Sequence, residues 1–166
     1  MILIGIGGNL SSRVGTPLET CEAAISALEE SGCQIAQRSR WYETAPVPVS
    51  SDPWYVNGVV EIRTGLGAKD LLGLLHEIEG RFQRVRMLPN GSRTLDMDLL
   101  AYGSEINGSP ETPPILPHPR LHERAFVLVP LADFAPHWRH PKSGISAEML
   151  LQNLPSGQDI RPLRTV

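Results

Sequence analysis

The segment Arg93-Thr94-Leu95-Asp96-Met97-Asp98-Leu99-Leu100 alternates apolar and acidic side chains from Leu95 to Leu99. Because successive side chains of a β-strand point to opposite faces of the sheet, this repeat of two is typical of a strand. We therefore predict a strand over residues 95–102 that ends at Gly103-Ser104, with its apolar positions facing a core. Asp96 and Asp98 then share the other face and point the same way.

The residues before this strand predict a regular order of elements. Thr16-Pro17-Leu18-Glu19 is a capping box with proline at the first helical position, and Gly32 ends the helix that it starts. Hydrophobic periodicity and turn residues predict the remaining elements: a strand over 2–6 followed by a glycine-rich loop over 5–9, a strand over 34–42, a proline-rich loop over 45–53, a strand over 55–64, an amphipathic helix over 69–82 and a loop over 85–94.

This order of strand, helix, two strands, helix and strand is that of the ferredoxin-like split unit, in which an antiparallel sheet carries helices on one face. Further helices near the C-terminus would cover the other face. We therefore predict an α+β fold, a three-layer α/β/α sandwich around a ferredoxin-like antiparallel sheet. The sequence contains no repeat, low-complexity tract or linker, which favours one domain over residues 1–166.

Composition narrows the class of protein. The chain has 166 residues, 41% hydrophobic and 20% charged, which suits one compact domain with a core. Its net charge of -3 argues against a general nucleic-acid binder, and its two cysteines suggest no disulfide framework. The apolar opening over 1–4 is too short for a signal peptide or a membrane span. We expect a cytoplasmic monomer that associates with neither nucleic acid nor membrane.

Asp96 and Asp98 are the first candidate functional residues. Side chains two apart on a strand are separated by roughly 7 Å at the backbone, so both carboxylates can converge on hard cations. A pair of metal ions held in this way can neutralise phosphate oxygens. Taken alone, Asp-x-Asp is equally typical of a solvated strand face, although aspartate is a poor strand former.

Arginines gather around this acidic pair. Arg81, Arg84 and Arg86 close the second predicted helix and enter the loop, and Arg93 leads into the acidic strand. Guanidinium groups bind phosphate oxygens in bidentate fashion and stay charged, so the cluster suits a triphosphate. For Arg81 the better interpretation is favourable charge at the C-terminal end of a helix.

A second basic group lies in Pro117-His118-Pro119-Arg120-Leu121-His122-Glu123-Arg124. A neutral imidazole at His118 can donate to a phosphate oxygen, and Arg124 adds a permanent positive charge. The alternative is a loop that caps the next helix. No P-loop motif is present, so arginines would have to bind any ATP, and the early glycines lack the third glycine of a Rossmann fingerprint.

The third predicted strand suggests a pocket for a flat heterocycle. Tyr55, Asn57 and Val59 share one face, and the rigid turn after Trp41 adds aromatic and polar groups. Asparagine donates and accepts at once, which suits a ring with an amide-like edge, and aromatic faces can stack on such a ring. The alternative is that Tyr55 and Trp41 simply pack in the core, which would be ordinary for aromatic residues.

Over nearly its whole length the chain resembles the hydroxymethyl-dihydropterin pyrophosphokinase family. The resemblance rests on Gly7-Gly8-Asn9-Leu10, on Pro117-His118-Pro119-Arg120 and above all on the signature Arg-x-x-Asp-x-Asp, which begins at Arg93. It implies an enzyme that transfers pyrophosphate from ATP to the hydroxymethyl group of 6-hydroxymethyl-7,8-dihydropterin and releases AMP, a step of folate synthesis.

The resemblance also implies roles for individual residues. Asp96 and Asp98 would hold two Mg²⁺ ions that bridge the phosphates of the co-substrate ATP, and Arg86 and Arg93 would act in catalysis. The residues implied at the nucleotide are His76, Glu79, Arg84, Arg93, Leu99, Ile115, His118 and Arg124. Those implied in the pterin pocket are Thr44, Val47, Tyr55, Asn57 and Phe126.

The expected reaction is in-line attack of the pterin hydroxymethyl oxygen on the β-phosphorus of ATP. Transfers of this kind depend mainly on positioning and charge neutralisation, so no general base is required. Two alternatives stay open at this stage: a ferredoxin-like nucleic-acid-binding module, and a two-metal nucleotidyltransferase, which would release pyrophosphate instead of AMP.

Overall fold

The computed structural model describes residues 1–82 and 92–164. Along these residues the elements, in chain order, are β1 (Ile2–Gly8), α1 (Pro17–Glu30), β2 (Gln34–Arg38), β3 (Tyr42–Thr44), β4 (Tyr55–Arg63), α2 (Ala68–Arg81), β5 (Asp96–Tyr102), a 3-10 turn (Leu121–Glu123), α3 (Ala125–Ala132), α4 (Ala147–Gln152) and β6 (Ile160–Pro162). Within these two ranges no helix is long and apolar enough to cross a membrane.

The strands form one antiparallel sheet in the order β5-β1-β4-β3-β6, and β2 also pairs with β4. The central strands β1 and β4 pair with each other, and β5 lies on the outer side of β1. This is the connectivity of the split unit, because the first and last strands of that unit are neighbours. The α+β fold with a ferredoxin-like antiparallel sheet is confirmed.

Helices cover both faces of the sheet. On one face α1 and α2 pack against alternate residues of β1, β4 and β5, and this core includes Ile4, Ile6, Val60, Ile62, Met97 and Leu99. On the other face α3 and α4 pack against Leu3, Val59 and Leu100. The second core covers only part of its face, and the remainder carries polar side chains of β4 and β5.

The start of α1 follows the predicted chemistry. The Thr16 hydroxyl accepts a hydrogen bond from the Glu19 backbone, the Glu19 carboxylate accepts one from the Thr16 backbone, and Pro17 occupies the first turn. Each bond satisfies a backbone N–H that the helix itself leaves unpaired. The predicted capping box is therefore confirmed.

Two predictions about the strands are wrong. The single strand over 34–42 is two strands, β2 and β3, because the chain breaks between them where the Ser39 hydroxyl accepts a hydrogen bond from the Val59 backbone. The glycine-rich stretch is not a loop after the strand, since β1 runs through Gly8. A Cβ on Gly7 would lie 2.0 Å from Asn57 Oδ1, so this glycine provides space for a side chain on β4.

Candidate active site

A cleft of about 290 Å³ opens on the sheet face that α3 and α4 leave uncovered. Strands β1, β3, β4 and β5 form its floor, the start of α3 forms one wall, and residues 155–158 form another. Its lining residues are Gly7, Thr44, Ala45, Val47, Tyr55, Asn57, Arg93, Asp96, Asp98, Arg120, Glu123, Arg124, Phe126, Pro155, Ser156, Gly157 and Gln158.

The two acids of β5 face this cleft together, as the alternating pattern predicts. On the neighbouring strand β1, Gly7 lies opposite Asp96 and Gly5 lies opposite Asp98. Because glycine has no side chain, β1 places no side chain of its own beside either carboxylate. The local sequence thus presents two anionic groups to one cleft.

Each acid has an arginine beside it. Arg93 Nη1 lies 2.7 Å from Asp96 Oδ2, and Arg124 Nη1 lies 3.9 Å from Asp98 Oδ2. All four side chains are at most 31% exposed, so these charges interact with little screening by water. Positive and negative groups therefore alternate around this end of the cleft.

Arg93 is fixed by a buried asparagine. The Arg93 backbone donates to Asn9 Oδ1 over 2.9 Å, and its carbonyl accepts from the Asn9 backbone over 3.0 Å. Asn9 Nδ2 also donates to the Pro53 carbonyl over 2.9 Å, just before β4. Asn9, only 4% exposed, therefore joins the segment before β4 to the residue that precedes the acidic strand.

Arg124 directly precedes α3 and is partly buried. Burial lowers the pKa of its guanidinium, while the charge of Asp98 acts in the opposite direction. The guanidinium carbon also lies 5.2 Å from the centre of the Phe126 ring. Since arginine stays protonated in proteins, the cleft keeps a positive charge beside Asp98.

His118 is neutral at physiological pH. Burial lowers the pKa of its imidazole to about 4, helped by the charges of Arg124 and Arg120 and opposed by Asp96. Its Nδ1 accepts a hydrogen bond from the Arg120 backbone over 3.1 Å, so the proton of the neutral ring is on Nε2. The imidazole can therefore act as a neutral hydrogen-bond donor.

The five residues implied in the pterin pocket all line the cleft: Thr44, Val47, Tyr55, Asn57 and Phe126. Asn57 Nδ2 donates to the Thr44 hydroxyl over 2.7 Å, which orients the amide across β3 and β4. Burial raises the pKa of the Tyr55 phenol, so this ring stays uncharged. Flat, neutral and amide-bearing groups are thus collected on the β3 and β4 side of the cleft.

Five residues implied at the nucleotide do not line this cleft: His76, Glu79, Leu99, Ile115 and His118. Glu79 is 3% exposed and accepts a hydrogen bond from the Met97 backbone over 2.7 Å, and Leu99 packs in the core under α1 and α2. His76 is exposed on α2, and Ile115 precedes the loop that carries His118. Their contacts with ATP stay predictions. Arg84 and Arg86 lie outside the described residues.

Several lining residues had no predicted role. Arg120 and Glu123 form a charge pair in the basic segment, and their spacing of three was the available signal. Residues 155–158 gave no sequence signal of a functional role beyond a turn at Gly157, whose φ of +84° favours glycine. Their place in the cleft depends on β6, which is too short for a periodic pattern.

The acidic pair suits magnesium better than a metal held by protein alone. Along residues 1–82 and 92–164, no group of three or more His, Cys, Asp or Glu side chains is arranged to hold a metal ion. Mg²⁺ usually binds through one or two carboxylates together with substrate phosphates and water. Two carboxylates that face a cleft lined by arginine match that donor set.

Comparisons with known proteins agree on one family. A family model described as 7,8-dihydro-6-hydroxymethylpterin-pyrophosphokinase (HPPK) matches residues 3–136. Over 154 residues, the chain is 36% identical to a 2-amino-4-hydroxy-6-hydroxymethyldihydropteridine pyrophosphokinase of Synechocystis, covering 92% of this chain and 75% of that one. Over 144 residues it is 38% identical to the protein of that name from Haemophilus influenzae, covering 86% and 89%.

Longer relatives contain the same region. The folic acid synthesis protein fol1 of Pneumocystis carinii is 33% identical over 162 residues, which are 98% of this chain and 21% of that protein. A solved structure described as HPPK-DHPS in complex with substrates superposes with a TM-score of 0.67 at 13% identity, covering 92% of this chain and 42% of the other. At that identity the likeness supports the fold alone.

Proposed function

Because the chain belongs to the 7,8-dihydro-6-hydroxymethylpterin-pyrophosphokinase family, it is an ATP-dependent pyrophosphokinase of folate biosynthesis, and we propose that the cleft between β3, β5 and α3 holds both substrates. The reaction transfers pyrophosphate from ATP to the hydroxymethyl group of the dihydropterin. The family predicted from the sequence is confirmed, and the nucleic-acid-binding module and the nucleotidyltransferase are not favoured.

The order of the strands supports a division of the cleft into two ends. Thr44 lies on β3 and Asn57 on β4, whereas the acids lie on β5, and the glycine positions of β1 separate the two groups. A bound pterin would lie over β3 and β4, and the ATP phosphates would lie over β5. The hydroxymethyl group would then meet the phosphates above Gly7.

At the pterin end the side chains recognise a flat ring with an amide edge. Asn57 can donate to and accept from that edge, while Tyr55 and Phe126 offer aromatic faces for stacking. Thr44 holds the Asn57 amide in one orientation. A ligand that lacks the amide edge would leave these polar groups unpaired, which favours selectivity.

At the phosphate end, positive groups bind and orient the triphosphate. Arg93 and Arg124 bring permanent charge, and the His118 Nε2–H can donate to a phosphate oxygen without carrying charge itself. Asp96 and Asp98 would hold two Mg²⁺ ions, which when bound neutralise phosphate oxygens. Arg86 stays a predicted catalytic residue.

The chemical step then needs little from a general base. The hydroxymethyl oxygen forms a bond to the β-phosphorus and loses its proton to water or to a phosphate oxygen. The bond from that phosphorus to the oxygen bridging the α and β positions breaks, and AMP leaves with the electron pair. Positioning of the two substrates in line and stabilisation of the charge supply most of the rate. The observation that carries the proposal is the convergence of paired acids, arginines and the Tyr55–Asn57 face on one cleft.

Product analysis tests this function. Purified protein is incubated with ATP and 6-hydroxymethyl-7,8-dihydropterin, with and without Mg²⁺, and the nucleotide products are separated by chromatography. We expect AMP in the presence of Mg²⁺ only. Release of pyrophosphate would indicate nucleotidyl transfer instead, and AMP formation in a chelator would contradict the role given to the acids.

The organisation of the protein stays a set of predictions. These are one domain over residues 1–166, a monomer, a cytoplasmic location and no association with nucleic acid or membrane. Sedimentation equilibrium of the purified chain tests the monomer directly.

A further inference from the structure

Residues 155–158 form a wall of the cleft, although the match to the family model ends at residue 136. The strand that follows, β6, pairs with β3 so that Ile160 lies opposite Thr44, and the Ala45 backbone donates to the Asp159 carbonyl over 3.0 Å. Both Thr44 and Ala45 line the cleft. The C-terminal segment is therefore held in register with the β3 side of the site.

The side chain of Gln158 connects this segment to the start of α3. Its Oε1 accepts a hydrogen bond from the Ala125 backbone over 2.9 Å, and its Nε2 donates to the Glu123 carbonyl over 2.9 Å. These two backbone groups flank Arg124 on either side. The same Nε2 also contacts the Pro155 carbonyl over 3.3 Å, which closes the turn that presents the amide.

We propose that Gln158 is a positioning residue for the phosphate end of the site, acting through Arg124. This rests on the proposed function, in which Arg124 binds the ATP phosphates. One primary amide satisfies the first N–H of α3 and the carbonyl two residues before it, so the backbone on both sides of Arg124 is fixed at once. The Arg124 side chain makes no capping hydrogen bond to α3, and the Gln158 amide of the C-terminal segment supplies one instead.

The position of this backbone matters because it determines where the guanidinium, at the end of the long Arg124 side chain, lies in the cleft. It lies between Asp98, 3.9 Å away, and the face of Phe126. A pre-organised donor stabilises developing charge without first having to be ordered, whereas a mobile one loses part of that benefit. Loss of the Gln158 amide should therefore slow the reaction of bound ATP more than it weakens pterin binding.

The test compares Gln158→Met with the wild-type chain. Methionine has similar length and shape but neither donates nor accepts these two bonds. Since the backbone on both sides of Arg124 is then no longer fixed, we expect kcat/KM for ATP to fall roughly tenfold. The dissociation constant of the dihydropterin, measured by calorimetry, should change by less than about threefold. Gln152→Met, the same exchange at an exposed position of α4, is the matched control and should behave as wild type.

A double-mutant cycle with Arg124→Ala separates positioning from general stability. If Gln158 acts through Arg124, adding Gln158→Met to the Arg124→Ala variant should change kcat/KM by less than about twofold. A tenfold loss in both backgrounds would mean that Gln158 supports the fold and does not position Arg124. Gln158→Asn, which keeps the amide but is too short to reach both groups, replaces the methionine variant if that protein does not fold.

The outcomes distinguish this inference from the proposed function. AMP formation by the wild type and by Gln152→Met, with equal activity in Gln158→Met, would overturn the inference alone. Absence of AMP formation in the wild type would overturn the proposed function, and the positioning role with it.

Discussion

Gly7 lies on β1 directly opposite Asn57 on β4, and replacing it with alanine tests the pterin end of the cleft. A Cβ at residue 7 would lie 2.0 Å from Asn57 Oδ1 and 3.0 Å from the Val56 carbonyl oxygen. The first contact is far inside van der Waals distance, so the Asn57 amide must rotate away. That rotation breaks its 2.7 Å hydrogen bond to Thr44.

The size of the effect follows from the groups that are lost. Asn57 would supply one donor and one acceptor to the pterin, and each such bond contributes about 1 kcal/mol net. Losing both weakens binding by about 2 kcal/mol, which is roughly thirtyfold in the dissociation constant. The strand itself should persist, because alanine costs a strand less conformational entropy than glycine does.

Gly5→Ala is the matched control for this change. Gly5 is on the same strand and the same face, but its added Cβ would lie 3.5 Å from Leu100, an ordinary contact. Dihydropterin is titrated into each protein saturated with a non-hydrolysable ATP analogue, and the heat is measured. We expect Gly5→Ala to bind within about twofold of wild type. A folded Gly7→Ala protein with wild-type affinity would refute the assignment of Asn57 to the pterin.

Three further predictions follow from single contacts. Arg93→Ala removes the guanidinium 2.7 Å from Asp96 and should lower kcat by about a hundredfold, with little change in the dihydropterin dissociation constant. An equal loss of pterin affinity would instead assign Arg93 to the pterin end of the cleft. Asn9→Ala removes the hydrogen bonds of the Asn9 side chain to the Arg93 N–H and the Pro53 carbonyl, so the free energy of unfolding in urea should fall by about 2–3 kcal/mol. A decrease below about 0.5 kcal/mol would mean that these two bonds do not stabilise the fold. Because the pKa of His118 lies at about 4 in the fold and at 6.5 ordinarily, the unfolded chain binds more protons between these values. The free energy of unfolding of the metal-free protein should therefore decrease as pH falls through that window, by at most about 1.4 kcal/mol per pH unit, and His118→Gln should flatten this slope; an unchanged slope would contradict the depressed pKa.

Much of the site could be predicted because the face to which its side chains point follows from the alternation of neighbouring residues in the sequence. The alternation around Asp96 and Asp98 placed both acids on the face away from the core, and the period of β4 placed Tyr55 with Asn57. The capping box at Thr16 predicted the start of α1 for the same reason. In each case the physical cause lies within a few residues of the chain.

What could not be predicted depends on groups distant in sequence. Gly7 was interpreted as part of a loop, because the clash that requires a glycine there comes from Asn57 on another strand. The break between β2 and β3 depends on the bond between Ser39 and the Val59 backbone. Gln158 follows a short turn, and only the pairing of β6 with β3 brings it to the start of α3.

The most direct test of the account is AMP formation by Asp96→Asn and Asp98→Asn at saturating Mg²⁺, with Asp70→Asn on the exposed first turn of α2 as control. Asparagine keeps the shape and removes the charge that would hold the metal ions. Since metal ions stabilise the transferring phosphates by several kcal/mol, each site variant should lose roughly a thousandfold in kcat, while Asp70→Asn keeps wild-type activity. If either site variant, correctly folded, forms AMP within about tenfold of the wild-type rate, the acids of β5 do not hold the catalytic metal.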